Sequence, residues 1–406
     1  MKIGYACIPL GVKYSTNRRF LLKNFSEDRF LDTTMANLLD LKKILKYNIE
    51  NGIYLFRISS DIIPLGSHNI NDLQWYSLFK DILKDIGNYI KTNNIRVTMH
   101  PGQYTVLNSP NPEVVKKSIK DIEYHCTFLD SINADYKSKI IIHVGGIYND
   151  KYEAMDRFKL NFKLLSESAK KRLIIENDEK SYSISDVLNI GESIAIPVVF
   201  DNLHHSLNPS LSPNIKDILH RVSKTWGTKD GPMKLHYSDM AHNKKPGAHS
   251  NFVNTSNFLE FYNEVSSLLP DIMLEVKDKD LSAIKCIDCV TPHNVDINNI
   301  WDKYKFTVLE RSQSLYDKCY NALKSNDVFG LYKEIDKALS MPIKLEYQIH
   351  TLKYILHAFE DNLLPKEQNR LLSLINKNEI SKAKGLLNRI STKNNLNLTN
   401  TYFFIY

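Results

Sequence analysis

The chain has 406 residues, 43% of them apolar, with a formal charge of +7 and a pI near 8.8. Its size allows one large domain and a second smaller one. Its five scattered cysteines form no disulfide framework, and no run of ~18 apolar residues occurs, so a disulfide-stapled scaffold and a helical membrane protein are both excluded. The mild positive charge is compatible with a polyanionic partner without being diagnostic of one.

The first strand is expected at Lys2–Cys7, with no signal-type apolar segment before it, and a reducing cytoplasm is the expected compartment. A basic loop follows, with Lys13, Arg18, Arg19 and Lys23. Leu38, Leu41, Leu45 and Ile49 then recur at helical spacing, and Gly52 is placed to stop that helix. Residues 54–58 read as the second strand and 72–92 as its helix. The third strand ends at His100, and Pro112 opens the next helix at a favoured first-turn position. His143 ends the fourth strand, before Gly145-Gly146. Glu176, Asp201, His236 and Glu275 end the fifth to eighth. Cys286-Ile287-Asp288-Cys289 is a lone CxxC, expected to be two ordinary thiols on a helix.

Each strand-like run is short and rich in β-branched residues, as strands buried on both faces are. Eight of them alternating with helices predict an α/β (β/α)₈ TIM barrel over residues 1–300. Beyond 301 the strand-like runs stop. Leu345, Ile349, Leu352, Ile355 and Leu356 recur at three and four spacing, as do 371–375 and 386–390. Residues 301–406 are therefore expected to form a helical C-terminal appendix, whose role the sequence leaves open.

Six successive strands end on His, Asp or Glu, at the barrel end where such folds carry their chemistry. His100, His143, Glu176, Asp201, His236 and Glu275 would converge there. His204 lies three residues past a strand end, His249 on the loop after the seventh strand, and His68 on the loop after the second. Imidazole and carboxylate suit divalent first-row metals, and so many ligands fit two or three ions better than one. Clustered metals suit phosphoryl displacement. In the next loop Gln103 and Tyr104 place a flat amide and an aromatic where they could wedge into a base stack. Arg18, Lys244 and Lys245 could hold phosphates. His125, His220, His293, His350 and His357 are assigned no role, while His205 and His242 neighbour the rim without a clear assignment.

At these residues the chain resembles the UV damage endonuclease family, a group of metal-dependent DNA repair enzymes. The matching segments are Gly4-Tyr5, Thr16-Asn17-Arg18, 56–60, Met99-His100-Pro101-Gly102-Gln103-Tyr104, Ile175-Glu176-Asn177-Asp178, 201–205, Lys234-Leu235-His236 and Lys245-Pro246-Gly247-Ala248-His249. They span roughly residues 1 to 310. The resemblance implies that the matched His, Asp and Glu positions hold the metals and that Glu176, Lys234 and His68 serve catalysis. Lys234 would sit beside the metals, where the family carries a carboxylated lysine. Gln103 and Tyr104 would probe the damaged dinucleotide, with Tyr5 at the lesion. One departure stands out: Cys7-Ile8-Pro9 occupies the place of a family Asn, which removes one lesion contact. The implied reaction is incision of damaged double-stranded DNA immediately 5′ of cyclobutane dimers, 6-4 photoproducts or abasic sites, by attack of a metal-bound hydroxide. It leaves a 3′-hydroxyl and a 5′-phosphate. Mn²⁺ is the first expectation, with Zn²⁺ or Co²⁺ next. A monomer associated with the nucleoid through DNA is expected. The alternative is a metal-dependent sugar isomerase or epimerase, which predicts a small closed pocket and no wedge.

Overall fold

A computed structural model describes residues 1–406 except 211–213, 242–243, 397 and 406. His242 thus lies outside the described residues. Eight four-residue strands pair in parallel and in sequence order, and β8 closes onto β1. They are β1 Ile3–Ala6, β2 Leu55–Ile58, β3 Arg96–Met99, β4 Ile140–His143, β5 Leu173–Glu176, β6 Val198–Asp201, β7 Lys234–Tyr237 and β8 Asp271–Leu274. The expected barrel is therefore present.

Successive strand residues point to opposite faces, so every second residue looks down the barrel axis. Cross-barrel pairs fix which ones. At the floor, Arg96 of β3 donates to Asp271 of β8 at 2.9 Å and lies 5.3 Å over the Trp226 ring. Trp226 packs on Ile141, Ile174 and Val199. Two residues up each strand the same parity gives Arg57, Thr98, His143, Glu176, Asp201 and His236. The chemistry at the upper rim and the plug at the floor are two layers of one alternating pattern.

The helices obey local rules. Ser26 caps Glu27–Glu50 through Arg29 N–H, and Gly52, at φ +70°, follows that helix as expected. Asn111 caps Pro112–Ser131, with the proline in the first turn. The single helix expected over 72–92 is instead two, Trp75–Leu78 and Lys80–Thr92. The break at Phe79 seats its buried ring 6.4 Å from Phe30 of the first long helix. Tertiary packing has overridden helical propensity there.

β1 and β2 approach unusually closely. A Cβ added at Gly4 would lie 1.8 Å from the Leu55 carbonyl oxygen. Gly4→Ala should therefore destabilise the barrel by about 3 kcal/mol or more, because backbone rather than a flexible side chain must move. Chemical denaturation checks this, and an unchanged midpoint would refute the close packing.

The chain forms two compact units. The barrel unit takes Met1–Pro9, Lys13–Val253 and Glu260–Ile287, and the second takes Leu10–Val12, Asn254–Leu259 and Asp288–Tyr406. The boundary expected at 300/301 falls inside the helix Ile297–Leu309. The second unit is helical, with its own core around Phe306, Leu352, Ile355, Leu371 and Leu387. Among the described residues no helix is long and apolar enough to cross a membrane.

Candidate metal centre

The inward-facing residues at the strand ends meet around Glu176, which is almost fully buried. His100 Nε2 lies 2.8 Å and His143 Nε2 3.0 Å from Glu176 Oε1. His236 Nδ1 lies 2.5 Å from Oε2 of the same carboxylate, 3.2 Å from Glu275 Oε1 and 3.9 Å from Asp201 Oδ2. Two ligand groups result, His100–His143–Glu176 and Glu176–Asp201–His236, each with its donor atoms within 4.8 Å of one another. Glu176 belongs to both, as a bridging carboxylate does.

Three further observations fit this donor set to divalent cations. First, Asp201 Oδ2 and His143 Nδ1 are buried and lack a hydrogen-bond partner among the described residues. Polar atoms left so are costly to bury unless something else accepts their lone pairs. Second, several imidazoles are held by the backbone at Nδ1. His100 Nδ1 donates to the Pro101 carbonyl at 2.9 Å, His204 Nδ1 to the Asn177 carbonyl at 3.0 Å, and His249 Nδ1 to the Glu275 carbonyl. Each bond puts the proton on Nδ1 and leaves the Nε2 lone pair free to coordinate. Third, the electrostatics favour the ligand protonation states at Glu176, Glu275 and His236 and oppose them at the Asp201–His204 pair. Burial raises the Glu176 carboxyl, but His236 and His143 outweigh it and hold it well below the usual carboxylate range. Burial likewise opposes ionisation of Glu275, and adjacent Arg57 overcomes it. Burial drives His236 down to about 4, which leaves it neutral at pH 7, and also lowers His143. Asp201 is pushed up to about 7 by burial. His204 is raised to about 9 despite burial, chiefly by Asp201. Cation binding there must displace a proton from this pair.

Arg57 is the site residue whose role the sequence did not reveal. It is buried, donates to Glu275 Oε1 at 2.5 Å and lies 3.0 Å from His236 Nε2. A lone Arg in a buried strand run was the available signal, since such a charge needs a partner. His125, given no role, also acts through others. Its Nε2 meets Ser60 Oγ at 3.0 Å, and Ser60 donates to the His100 carbonyl at 2.8 Å. Asn177 clips β5 to β6, accepting Asp201 N–H at 2.9 Å and donating to the Asp201 carbonyl at 3.1 Å.

The remaining candidates fall into three positions. Lys234 is fully buried one inward layer below His236, 3.3 Å from Thr98 Oγ1. Burial, then Arg57 and Arg96, lowers its pKa strongly. At the rim, Gln103 and Tyr104 are exposed at the tip of a turn closed by Thr105 N–H to the Gly102 carbonyl at 2.9 Å. Thr105 Oγ1, donating to Asp121 at 2.6 Å, pins that turn. Tyr104 and the exposed His68 line one cavity of about 540 Å³, together with Lys117, Lys120 and Tyr124. His68 belongs to neither ligand group. Its Nδ1 accepts Ile70 N–H at 3.1 Å, so a neutral ring carries its proton on Nε2 and presents a donor instead of a lone pair. Lys244 and Lys245 are exposed, while Arg18 is turned back onto Asp40 at 2.5 Å. His205 packs its ring 5.1 Å from Phe200.

Tyr5 is a correction. Its neighbours Gly4 and Ala6 take the inward parity, so Tyr5 points outward under the helix Glu27–Glu50. It is fully buried there, donates to Asn48 Oδ1 at 2.8 Å and meets Phe56 edge-on at 5.2 Å. A residue so enclosed does not offer a lesion contact.

Comparison with known proteins follows the same lines. The family model described as UV-endonuclease UvdE matches residues 8–303. The chain is 49% identical over 399 residues to a UV DNA damage endonuclease of Clostridium perfringens (strain 13 / Type A), covering 97% of this chain and 96% of that protein. It is 35% identical over 298 residues to a UV DNA damage endonuclease of Bacillus cereus (strain Q1), covering 71% of this chain and 93% of that one. The solved structure of SacUVDE superposes with a TM-score of 0.69 at 43% identity, covering 72% of this chain and 99% of that one.

Proposed function

The chain belongs to the UV-endonuclease UvdE family, and from that premise we propose that it nicks damaged double-stranded DNA immediately 5′ of the lesion, leaving a 3′-hydroxyl and a 5′-phosphate. Its substrates are cyclobutane dimers, 6-4 photoproducts and abasic sites. The observation that carries this reading is Glu176, one buried carboxylate shared by two ligand groups, with the His100 imidazole of the first turned by the Pro101 carbonyl. Such a pair of groups suits two divalent cations, with His249 and Glu275 completing the set or holding a third. Manganese is the first candidate, then zinc or cobalt. When bound, these cations would supply a nucleophile at neutral pH and stabilise the entering and leaving oxygens.

The chain's own residues do the rest. Arg57 fixes the Glu275 carboxylate. Lys234, whose charged form is disfavoured by burial, places its amine one inward layer beneath the centre, 3.3 Å from Thr98 Oγ1. His68 presents Nε2–H towards a phosphate in the rim cavity. Gln103 and Tyr104 enter the base stack, which is cheapest to open where damage has already weakened it. Lys244 and Lys245, with Arg18 once released from Asp40, hold backbone phosphates. The enzyme works as a monomer in the cytoplasm, at the nucleoid.

The test is nicking of an end-labelled, UV-irradiated duplex with and without Mn²⁺. Cleavage of the irradiated duplex alone, immediately 5′ of the dimer, is expected. Equal cutting of unirradiated duplex would refute the reading. Chelation should abolish nicking while the far-ultraviolet circular dichroism stays that of the loaded protein, and Mn²⁺ should restore activity.

A further inference from the structure

Positive charge is not spread evenly over this chain. Residues 362–406 hold seven Lys and Arg against two acids, Glu367 and Glu379, so five of the seven net charges lie in this segment. Most of the segment forms two helices of the second unit, Pro365–Asn376 and Ile380–Lys393. Their inner faces are apolar: Leu371 and Ile375 on one, Ala383, Leu387 and Ile390 on the other, all within the unit's core.

The outer faces carry basic stripes. Lys366, Arg370 and Lys377 recur at spacings of four and seven, and Lys382, Arg389 and Lys393 at seven and four, so each set lies along one side of its helix. The two acids are each taken up by one lysine, Glu379 by Lys382 at 2.7 Å and Glu367 by Lys393 at 3.3 Å. Lys384 is spent on buried Glu310 at 2.7 Å. Among the described residues Arg370, Lys377 and Arg389 make no ion pair and are exposed.

A second, independent feature sits in the middle of the stripe. Gly385 lies three residues after Lys382 and four before Arg389, on the same side of the helix. A Cβ there would meet no atom within 4 Å among the described residues. Nothing in the fold requires glycine at this place, and in a helix interior only proline is less favourable. Glycine is used where another molecule must approach backbone closely. Arg389 already exploits the gap, its Nε donating to the Gly385 carbonyl at 3.3 Å. Unpaired cations at helical repeat around a bare stretch of backbone form a surface for a regularly spaced polyanion.

We infer that the helix pair Pro365–Asn376 and Ile380–Lys393 binds the phosphate backbone of duplex DNA without regard to sequence or damage, through Arg370 of the first helix, Lys377 at its end, and Arg389 beside the gap at Gly385 on the second. This is a DNA contact additional to the barrel rim, and it rests on DNA being the substrate. It would hold the enzyme on intact DNA between lesions.

The test measures binding of full-length protein to an undamaged 30-bp duplex by fluorescence anisotropy, in EDTA, from 50 to 200 mM salt. Each phosphate contact adds about 0.9 to the slope of log affinity against log salt, so the triple variant Arg370→Gln/Lys377→Gln/Arg389→Gln should lose about 2.7 from that slope. Over this fourfold salt range the wild type should lose about 40-fold more affinity than the variant. A second variant separates contact from folding. Gly385→Gln should raise the thermal midpoint, because glutamine favours helix, yet weaken duplex binding at least about threefold. An unchanged slope in the triple variant, or a raised midpoint with unchanged affinity in Gly385→Gln, would overturn the proposal. A slope change on phosphatidylglycerol vesicles with none on duplex would replace DNA by a membrane surface. Incision does not enter the measurement, so a protein that shows the slope change but never nicks would refute the endonuclease reading and leave this one standing.

Discussion

Replacing Glu176 by glutamine should abolish incision and leave lesion binding intact. Glu176 is the carboxylate common to both ligand groups, with imidazole nitrogens at 2.8 and 3.0 Å on one oxygen and at 2.5 Å on the other. Bridging needs two anionic oxygens, and an amide offers one weak neutral donor and an N–H₂ that repels a cation. The expected loss is on the order of a thousandfold in turnover, which corresponds to ~4 kcal/mol of transition-state stabilisation. The volume change is negligible, so the thermal midpoint should hold. Nicking and gel-shift affinity for a dimer-containing duplex are measured on the same preparation. Wild-type turnover by the variant in saturating Mn²⁺ would remove Glu176 from the centre.

Truncating the loop tip should have the opposite signature. In the double variant Gln103→Ala/Tyr104→Ala the cation content should be unchanged, because neither side chain lies among the donors and the loop is pinned below them by Thr105 and Asp121. Tyr104 is 75% exposed, an unfavourable position for an aromatic ring with nothing to stack on. Stacking of a base on one aromatic contributes ~1–3 kcal/mol. The ratio of damaged to intact affinity should therefore fall between about fivefold and 150-fold. A double variant that still discriminates as the wild type does would place recognition elsewhere, with the 540 Å³ cavity beside His68 as the next place to look.

The rim was legible because its signal is one-dimensional. A strand buried on both faces ends where a polar group appears, and six runs ended that way. What stayed illegible needed a partner from across the barrel. Arg57 reads as an odd charge in an apolar run until Glu275 and His236 are seen beside it. The floor pair Arg96–Asp271 is separated by 175 residues. Tyr5 shows a different failure. The family resemblance placed it at the lesion, but strand parity sends neighbours one residue apart to opposite faces, and the helix Glu27–Glu50 closes over it. The His68 tautomer was equally hidden, since which nitrogen a backbone amide occupies is a matter of local turn geometry that no residue type reveals.

The Arg57–Glu275 pair sets an order of events. A site made only of carboxylates and neutral imidazoles would carry uncompensated negative charge in a low-dielectric interior until cations arrived, and folding would then have to wait for them, as it does in small zinc-dependent domains. Here a guanidinium supplied by β2 already neutralises the Glu275 carboxylate, and the eight strands close on one another through their own pairing. Biosynthesis can therefore proceed in two uncoupled stages, a receptor first and its charge complement later.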